Sequence, residues 1–314
     1  MTKPDVLSIG RLAADLTATL ESRYTVHHLW QAADRQALLA GVGPRIRVAA
    51  TTGHVPCPPD LLDALPNLRL VSSFGVGYDA IDVPALTARG VTLTNTPDVL
   101  NDAVAEITIG MMIALAREIL PADRHVRDGH WPSGNYPLTA QLTGARVGIL
   151  GLGRIGKRIA DLCAAFRMDI AYHGRREQAG QPYHYYADLV DMAAAVDWLV
   201  VIAPSTPESV GMVSRRVLEA LGPKGRLVNV ARGNLVDEAA LVDLLVSGGL
   251  GGAALDVFVD EPRVPDALFG LKHVVLQPHQ GSATHVTRGA MGDLVAGNIE
   301  AFFAGRPLLT PVNA

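Results

Sequence analysis

"VGILGLGRIGKRIA", residues 147–160, runs from an unbroken apolar stretch through a glycine turn into a helical pattern. Gly151, Gly153 and Gly156 stand in a G-x-G-x-x-G spacing, and each has a physical task. Gly151 closes a tight turn, Gly153 lets the main chain approach a pyrophosphate, and Gly156 lets the new helix pack closely on the strand behind it. Leu152, Arg154 and Ile155 complete the turn, whose first N–H groups face an anion. The spacing alone is weak evidence. A strand before it, a helix after it and a second strand ending near residue 173 supply the context of a dinucleotide site.

The same alternation extends outward over most of the chain. Apolar runs suited to strands occur at 45–51, 68–74, 145–151, 169–174, 197–204, 225–231, 252–258 and 273–278, with helical patterns between them. Such alternation predicts a doubly wound α/β architecture of parallel sheets. The runs fall into two sets, one before about residue 96 and one from about 145 to 280, and 314 residues suit two domains. Between the sets, residues 97–119 read as one long helix capped by Asp98 or Asn101. Val104, Ile107, Met111 and Leu115 form its apolar stripe, and Ile109, Met112 and Ile113 widen it, so the helix suits a core or a packing surface between domains or subunits. Residues 284–307 read as another helix, stopped by Gly305 and Pro307, that packs back on the first set.

With 49% hydrophobic residues and a formal charge of -4, the chain is expected to be globular and to lack the basic field that nucleic-acid binding requires. No apolar run approaches the ~20 residues of a membrane span. Two cysteines build no disulfide framework, and "MTKPDVLSIG" shows no secretory signal, so a cytoplasmic location is expected. His54 and Cys57 have a metal-like spacing but no second pair, so no metal is expected.

"AYHGRREQ", residues 171–178, ends the second strand of the nucleotide motif, where an acid would hold the ribose hydroxyls of NAD. Arg175 and Arg176 stand there instead. A guanidinium forms charge-assisted bonds to the 2′-phosphate of NADP, so NADPH is expected over NADH, with Arg175 the primary contact and one of the two arginines solvated.

Three further stretches end strands on the ligand side of the sheet: "NVARGNLVDE", "LDVFVDEP" and "LQPHQGSAT", supplying Arg232, Glu261 and His279. Reduction of a 2-oxo acid needs a cation for the carboxylate, a proton donor for the carbonyl oxygen and a group that orients the donor. These three side chains fit those tasks.

The chain resembles the D-isomer-specific 2-hydroxyacid dehydrogenase family, through "GLGRIG", "VARG", "LDVFVDEP", "PHQGSAT" and "SSFGVGYDAID". Within it, the chain is most similar to the glyoxylate, hydroxypyruvate and hydroxyphenylpyruvate reductases. The resemblance implies a flavodoxin-like substrate domain, 1–98 with 286–314, into which a Rossmann-type dinucleotide domain, 99–285, is inserted. It implies that Arg232 binds the substrate carboxylate and carbonyl, that His279 is the acid/base, and that Glu261 pairs with it. Backbone N–H groups of Val76 and Gly77 would meet the carboxylate. Asp256 and Gly281 would lie by the nicotinamide carboxamide, Thr108 near the cofactor, and Ala203, Pro204 and Thr206 along its ribose side. The implied reaction is NADPH-dependent reduction of small 2-oxo acids to D-2-hydroxy acids by a homodimer.

In some relatives the excursion holding Trp131 and Tyr136 places an aromatic side chain in the partner's site; a packing role is the alternative. Two rival functions use the same scaffold. A formate or phosphite dehydrogenase is disfavoured by the hydroxyacid form of "PHQGSAT". A dinucleotide-sensing corepressor or binding module is disfavoured by the three residues suited to catalysis.

Overall fold

The computed structural model describes residues 3–313. The chain divides into two compact units, Met1–Leu100 with Ser282–Ala314, and Asn101–Gly281.

The first unit is built on five parallel strands, β1 (Asp5–Ser8), β2 (Thr25–His28), β3 (Val48–Thr52), β4 (Leu70–Phe74) and β5 (Thr92–Thr94). Their order, β2-β1-β3-β4-β5, is the flavodoxin-like one. Leu7, Ala49, Val71 and Leu93 are fully buried on one face of this sheet. The helix His285–Phe303 packs on β4 and on the helix Ala14–Arg23. Its first turn is capped by the Thr284 hydroxyl, which accepts from Thr287 N. Beyond it, Val312 N donates to Leu93 O at 2.8 Å, fastening the chain end to β5.

The second unit carries β6 (Arg146–Leu150), β7 (Asp169–His173), β8 (His184–Tyr186), β9 (Trp198–Val201), β10 (Arg226–Asn229), β11 (Gly252–Leu255) and β12 (Val274–Leu276). All pair in parallel, in the order β12-β11-β10-β9-β6-β7-β8. This is the doubly wound Rossmann order with one added strand. Val147, Ile149, Leu199, Val200, Leu227 and Val228 are all fully buried, because helices cover both faces and a central parallel strand has no wet side. The order reverses between β6 and β9, where a ligand crevice belongs.

The expected long helix at 97–119 is instead Asn101–Ala116 followed by a second helix, Ile119–Arg127. Glu118, at φ 49°, turns the chain between them. Pro121 gives the reason: lacking an N–H, it belongs in the first turn of a new helix and not in the interior of a continuous one. The helix Asn101–Ala116 packs on the helix Arg154–Ala165 and against β10, β11 and β12, within its own unit.

Candidate active site

The glycine turn lies at the carboxyl end of β6, and its geometry accounts for each glycine. Gly151 has φ +102°, and a Cβ there would stand 2.7 Å from the backbone of Ala203. A Cβ on Gly156 would meet the Gly151 carbonyl oxygen at 2.1 Å. Gly153 differs, since a Cβ on it would enter open space. Gly153 is the N-cap of the helix Arg154–Ala165 and offers no side chain to its first amides. Two glycines are thus demanded by the fold and the third leaves main chain uncovered, which fits a cradle for a dinucleotide pyrophosphate.

Arg175 and Arg176 follow β7 and are exposed. With Gly174, Glu177, Gln178 and Ala179 they line an open cavity of about 890 Å³. The loop is held to the cradle: Gln178 Nε2 donates to Leu152 O at 2.8 Å and Gln178 N donates to Tyr172 Oη at 2.7 Å. On its other side Tyr185 Oη donates to Gly174 O at 3.1 Å. Gln178 is therefore a positioning residue that sequence reasoning missed. Glu177 was passed over as well, although it lies in the same wall and is the residue type that would favour ribose hydroxyls.

Ala203, Pro204 and Thr206 follow β9. Their turn is knotted by Ser209, whose hydroxyl donates to Pro204 O at 3.0 Å and accepts from Thr206 N at 2.8 Å. Thr108 is fully buried in its helix, and its hydroxyl donates to Val104 O at 2.6 Å.

The three side chains expected from the sequence to serve the chemistry, Arg232, Glu261 and His279, follow β10, β11 and β12. Arg232 is half-buried, with Nη1 donating to Ala231 O at 2.7 Å. Buried Asn229 shapes this turn: its Nδ2 donates to Arg232 O at 2.9 Å and its Oδ1 accepts from Ala231 N at 3.1 Å. A Cβ on Gly233 would come within 2.0 Å of the Phe258 carbonyl carbon, so the Arg232 turn and the loop leading to Glu261 touch main chain to main chain.

Glu261 Oε2 lies 2.7 Å from His279 Nδ1, and both side chains are about one-third exposed, at 33% and 29%. His279 has φ 54°, a left-handed conformation unusual for a residue with a Cβ. Asp256 holds it there. Its backbone oxygen accepts from His279 N at 2.9 Å, while Oδ1 and Oδ2 accept from Gln280 N at 2.6 Å and Gly281 N at 2.8 Å. Asp256 is 1% exposed; burial pushes its carboxyl above the usual range, and the Gln280 and Gly281 amides and the neighbouring histidine pull the other way. Whatever Asp256 offers a cofactor, its side chain is already engaged in fixing the histidine loop.

In the first unit, the loop after β4 is set by close backbone approach. A Cβ on Gly53 would fall 2.0 Å from Gly77 O, and Gly75 has φ +151°. Asn95 Nδ2 donates to Val76 O at 3.0 Å, and Gly75 N donates to Thr96 Oγ1 at 3.2 Å. Among the described residues, no acceptor takes the N–H of Val76 or Gly77.

Thiol chemistry has no place in this arrangement. Burial pushes the Cys57 thiol up to about 11 and that of Cys163 up to about 12. Among the described residues no group of three or more His, Cys, Asp or Glu side chains could hold a metal ion, and no helix is long and apolar enough to cross a membrane.

The family model for the D-isomer specific 2-hydroxyacid dehydrogenase, NAD binding domain, matches residues 109–281, more than half of the chain. The chain belongs to the D-isomer-specific 2-hydroxyacid dehydrogenase family. It is 46% identical over 307 residues to the hydroxyphenylpyruvate reductase of Plectranthus scutellarioides, covering 98% of each chain. The solved 2-hydroxyacid dehydrogenase of Ketogulonicigenium vulgare Y25 is similar at TM-score 0.94 and 45% identity, over 99% of both chains. An NADPH-dependent glyoxylate/hydroxypyruvate reductase of Sinorhizobium meliloti, solved with NADP and malonate, is similar at TM-score 0.93 and 43% identity, over 99% of this chain and 97% of that one. As a member of the D-isomer-specific 2-hydroxyacid dehydrogenase family, the chain is an NAD(P)-dependent oxidoreductase.

Proposed function

We propose that this enzyme reduces small 2-oxo acids, glyoxylate and hydroxypyruvate among them, to D-2-hydroxy acids and prefers NADPH to NADH. The observation that carries the reading is the 2.7 Å contact of Glu261 with His279, at the carboxyl edge of the sheet that also bears the glycine cradle. The unit Asn101–Gly281 is the dinucleotide domain on this reading, and Met1–Leu100 with Ser282–Ala314 the substrate domain. The relatives named as glyoxylate/hydroxypyruvate and hydroxyphenylpyruvate reductases support the substrate class. Arg175 and Arg176, exposed on the cavity wall after β7, support NADPH.

Bound in the cradle, a reduced nicotinamide dinucleotide supplies the hydride. The chain's own groups do the rest. In the dinucleotide unit the Arg232 guanidinium binds the substrate carboxylate and polarises the carbonyl, and in the substrate unit the Val76 and Gly77 amides serve as donors to a carboxylate. With Nδ1 committed to Glu261, His279 uses Nε2 to give its proton to the carbonyl oxygen, which becomes the hydroxyl. The Glu261 carboxylate stabilises the imidazolium and fixes the ring. Asp256 and Gly281 serve the carboxamide end of the cofactor, and Thr108, Ala203, Pro204 and Thr206 its neighbouring surface.

The enzyme is a homodimer on this reading. Ile119, Leu120, Val126, Trp131 and Leu138 are all exposed, Leu138 completely. Tyr136 is tied down by its hydroxyl, which donates to Glu118 Oε2 at 2.7 Å, whereas Trp131 remains 61% exposed, so Trp131 is the aromatic available to a partner.

Initial rates with glyoxylate, hydroxypyruvate, pyruvate and hydroxyphenylpyruvate, each with NADPH and NADH, test the proposal. Absence of turnover in every combination would refute it, and a general preference for NADH would refute its cofactor half.

A further inference from the structure

Arg288 stands near the start of the helix His285–Phe303, with its guanidinium carbon 5.4 Å from the centroid of the Phe74 ring. Phe74 ends β4 and is followed directly by Gly75, Val76 and Gly77. A half-buried cation is therefore placed at the strand end that delivers the two open amides.

The surroundings of this cation are one-sided. Burial lowers Arg288 from its ordinary value. Among the described residues, no carboxylate pairs with it and no acceptor takes its N–H groups. Arg226 makes a useful contrast. It is also half-buried, with its guanidinium 5.2 Å from the Trp198 ring, but the carboxylates of Glu118 and Asp197 act on it. A ring face offsets only part of the cost of burying a guanidinium, whose five N–H groups demand acceptors. Arg288 lacks from the protein what Arg226 has.

We propose that Arg288 recognises the tail of the 2-oxo acid, a hydroxyl or carboxylate borne beyond the carbonyl carbon, and so determines specificity among substrates. The inference rests on the reading of Val76 and Gly77 as donors to the substrate carboxylate. That carboxylate already has the two amides of the same unit, so the acceptor left for the guanidinium is on the tail. Glyoxylate has no tail, and tailed substrates gain a charge-assisted bond from which glyoxylate is excluded.

The test compares kcat/KM for glyoxylate, hydroxypyruvate and oxaloacetate in wild type, R288M and R288K, with thermal melting as the check on folding. In R288M, the loss for hydroxypyruvate or oxaloacetate should exceed that for glyoxylate by at least about tenfold, mostly in KM, with partial recovery in R288K. The more affected substrate identifies the tail group as hydroxyl or carboxylate. Equal losses on all three substrates, or no loss on any, would overturn the proposal. If R288M does not fold, the same comparison between R288K and R288Q decides it. A wild type that reduces none of the three would instead overturn the reading of function, and this inference with it.

Discussion

Glu261 grips two places at once: Oε2 lies 2.7 Å from His279 Nδ1 while Oε1 accepts from Phe258 N at 3.1 Å. The carboxylate is thereby fixed by its own loop before it fixes the histidine. In E261Q the amide can keep one of these contacts, but the negative charge beside the imidazolium is gone. A donor ring no longer held by a carboxylate should lower kcat more than it raises KM, and E261A, which loses both contacts, should fall further than E261Q. Steady-state kinetics on the two variants measures this, and wild-type kcat in both would remove Glu261 from the mechanism.

Replacing His279 and replacing Arg232 should fail differently. H279A loses the proton donor and should lower kcat by roughly 10²- to 10⁴-fold with a modest change in KM. R232A loses an anchor as well as a polarising charge, so both KM and kcat should suffer. Steady-state kinetics with glyoxylate separates the two patterns. Near wild-type turnover in H279A would end the proposed chemistry.

Much of this arrangement can be read in the sequence because parallel strands buried on both faces write themselves as unbroken apolar runs. "VGIL" before Gly151 and "WLVV" at Trp198–Val201 are of this kind. The unpredicted strands are short or polar: Asp5–Ser8, Thr25–His28, Thr92–Thr94 and His184–Tyr186 carry too few apolar residues to stand out. The break at Glu118 was hidden because the apolar pattern runs up to it, and only Pro121, just past the expected helix, signals a new first turn. Asn229 and Gln178 were missed for another reason. Their work is to tie main chain to main chain across loops, which leaves no periodicity or spacing in the sequence.

Gly233 offers a test of the contact between the Arg232 turn and the Glu261 loop. In G233A the new methyl would meet the Phe258 carbonyl at 2.0–2.2 Å, which rigid backbone cannot accept. One of the two loops must shift. Overpacking of this kind costs about 1–3 kcal/mol, and kcat/KM should fall together with the melting temperature. A variant unchanged in both would show that the loops yield without consequence.

Stability at low pH should depend on Asp197, whose carboxylate joins the starts of β9 and β6. It accepts from Arg146 Nη2 at 2.8 Å and from Arg146 N at 2.8 Å. The hydrogen bond from the Arg146 side chain holds Asp197 below its ordinary 3.8, burial opposing and the Arg146 amide assisting. A carboxylate lowered on folding contributes stability that is fully present above its unfolded value and lost as pH falls through the folded one. Wild type should therefore melt above D197N at neutral pH, modestly because the pair is 52% and 40% exposed and screened by solvent. The difference should shrink as pH drops below about 4. A gap that persists undiminished at pH 2 would assign the effect to packing.

The proposed preference for NADPH rests on Arg175 and Arg176, exposed on a loop that Gln178 ties to the glycine turn. A 2′-phosphate brings about -1.5 to -2 charges near neutral pH. A hydrogen bond to a charged group contributes roughly 1.5–3 kcal/mol, so one lost contact should weaken NADPH binding by about ten- to a hundredfold. R175A should raise the KM for NADPH by that order and leave the KM for NADH nearly unchanged, with R176A following in the same direction. Salt should erode the preference, because exposed charges are screened. Glu177 in the same wall acts oppositely: its carboxylate repels the phosphate, so E177Q should strengthen NADPH binding where R175A weakens it. Measuring both cofactors with wild type and the three variants decides the matter. Equal losses for NADPH and NADH in R175A, or a wild type favouring NADH, would assign the arginines to another task.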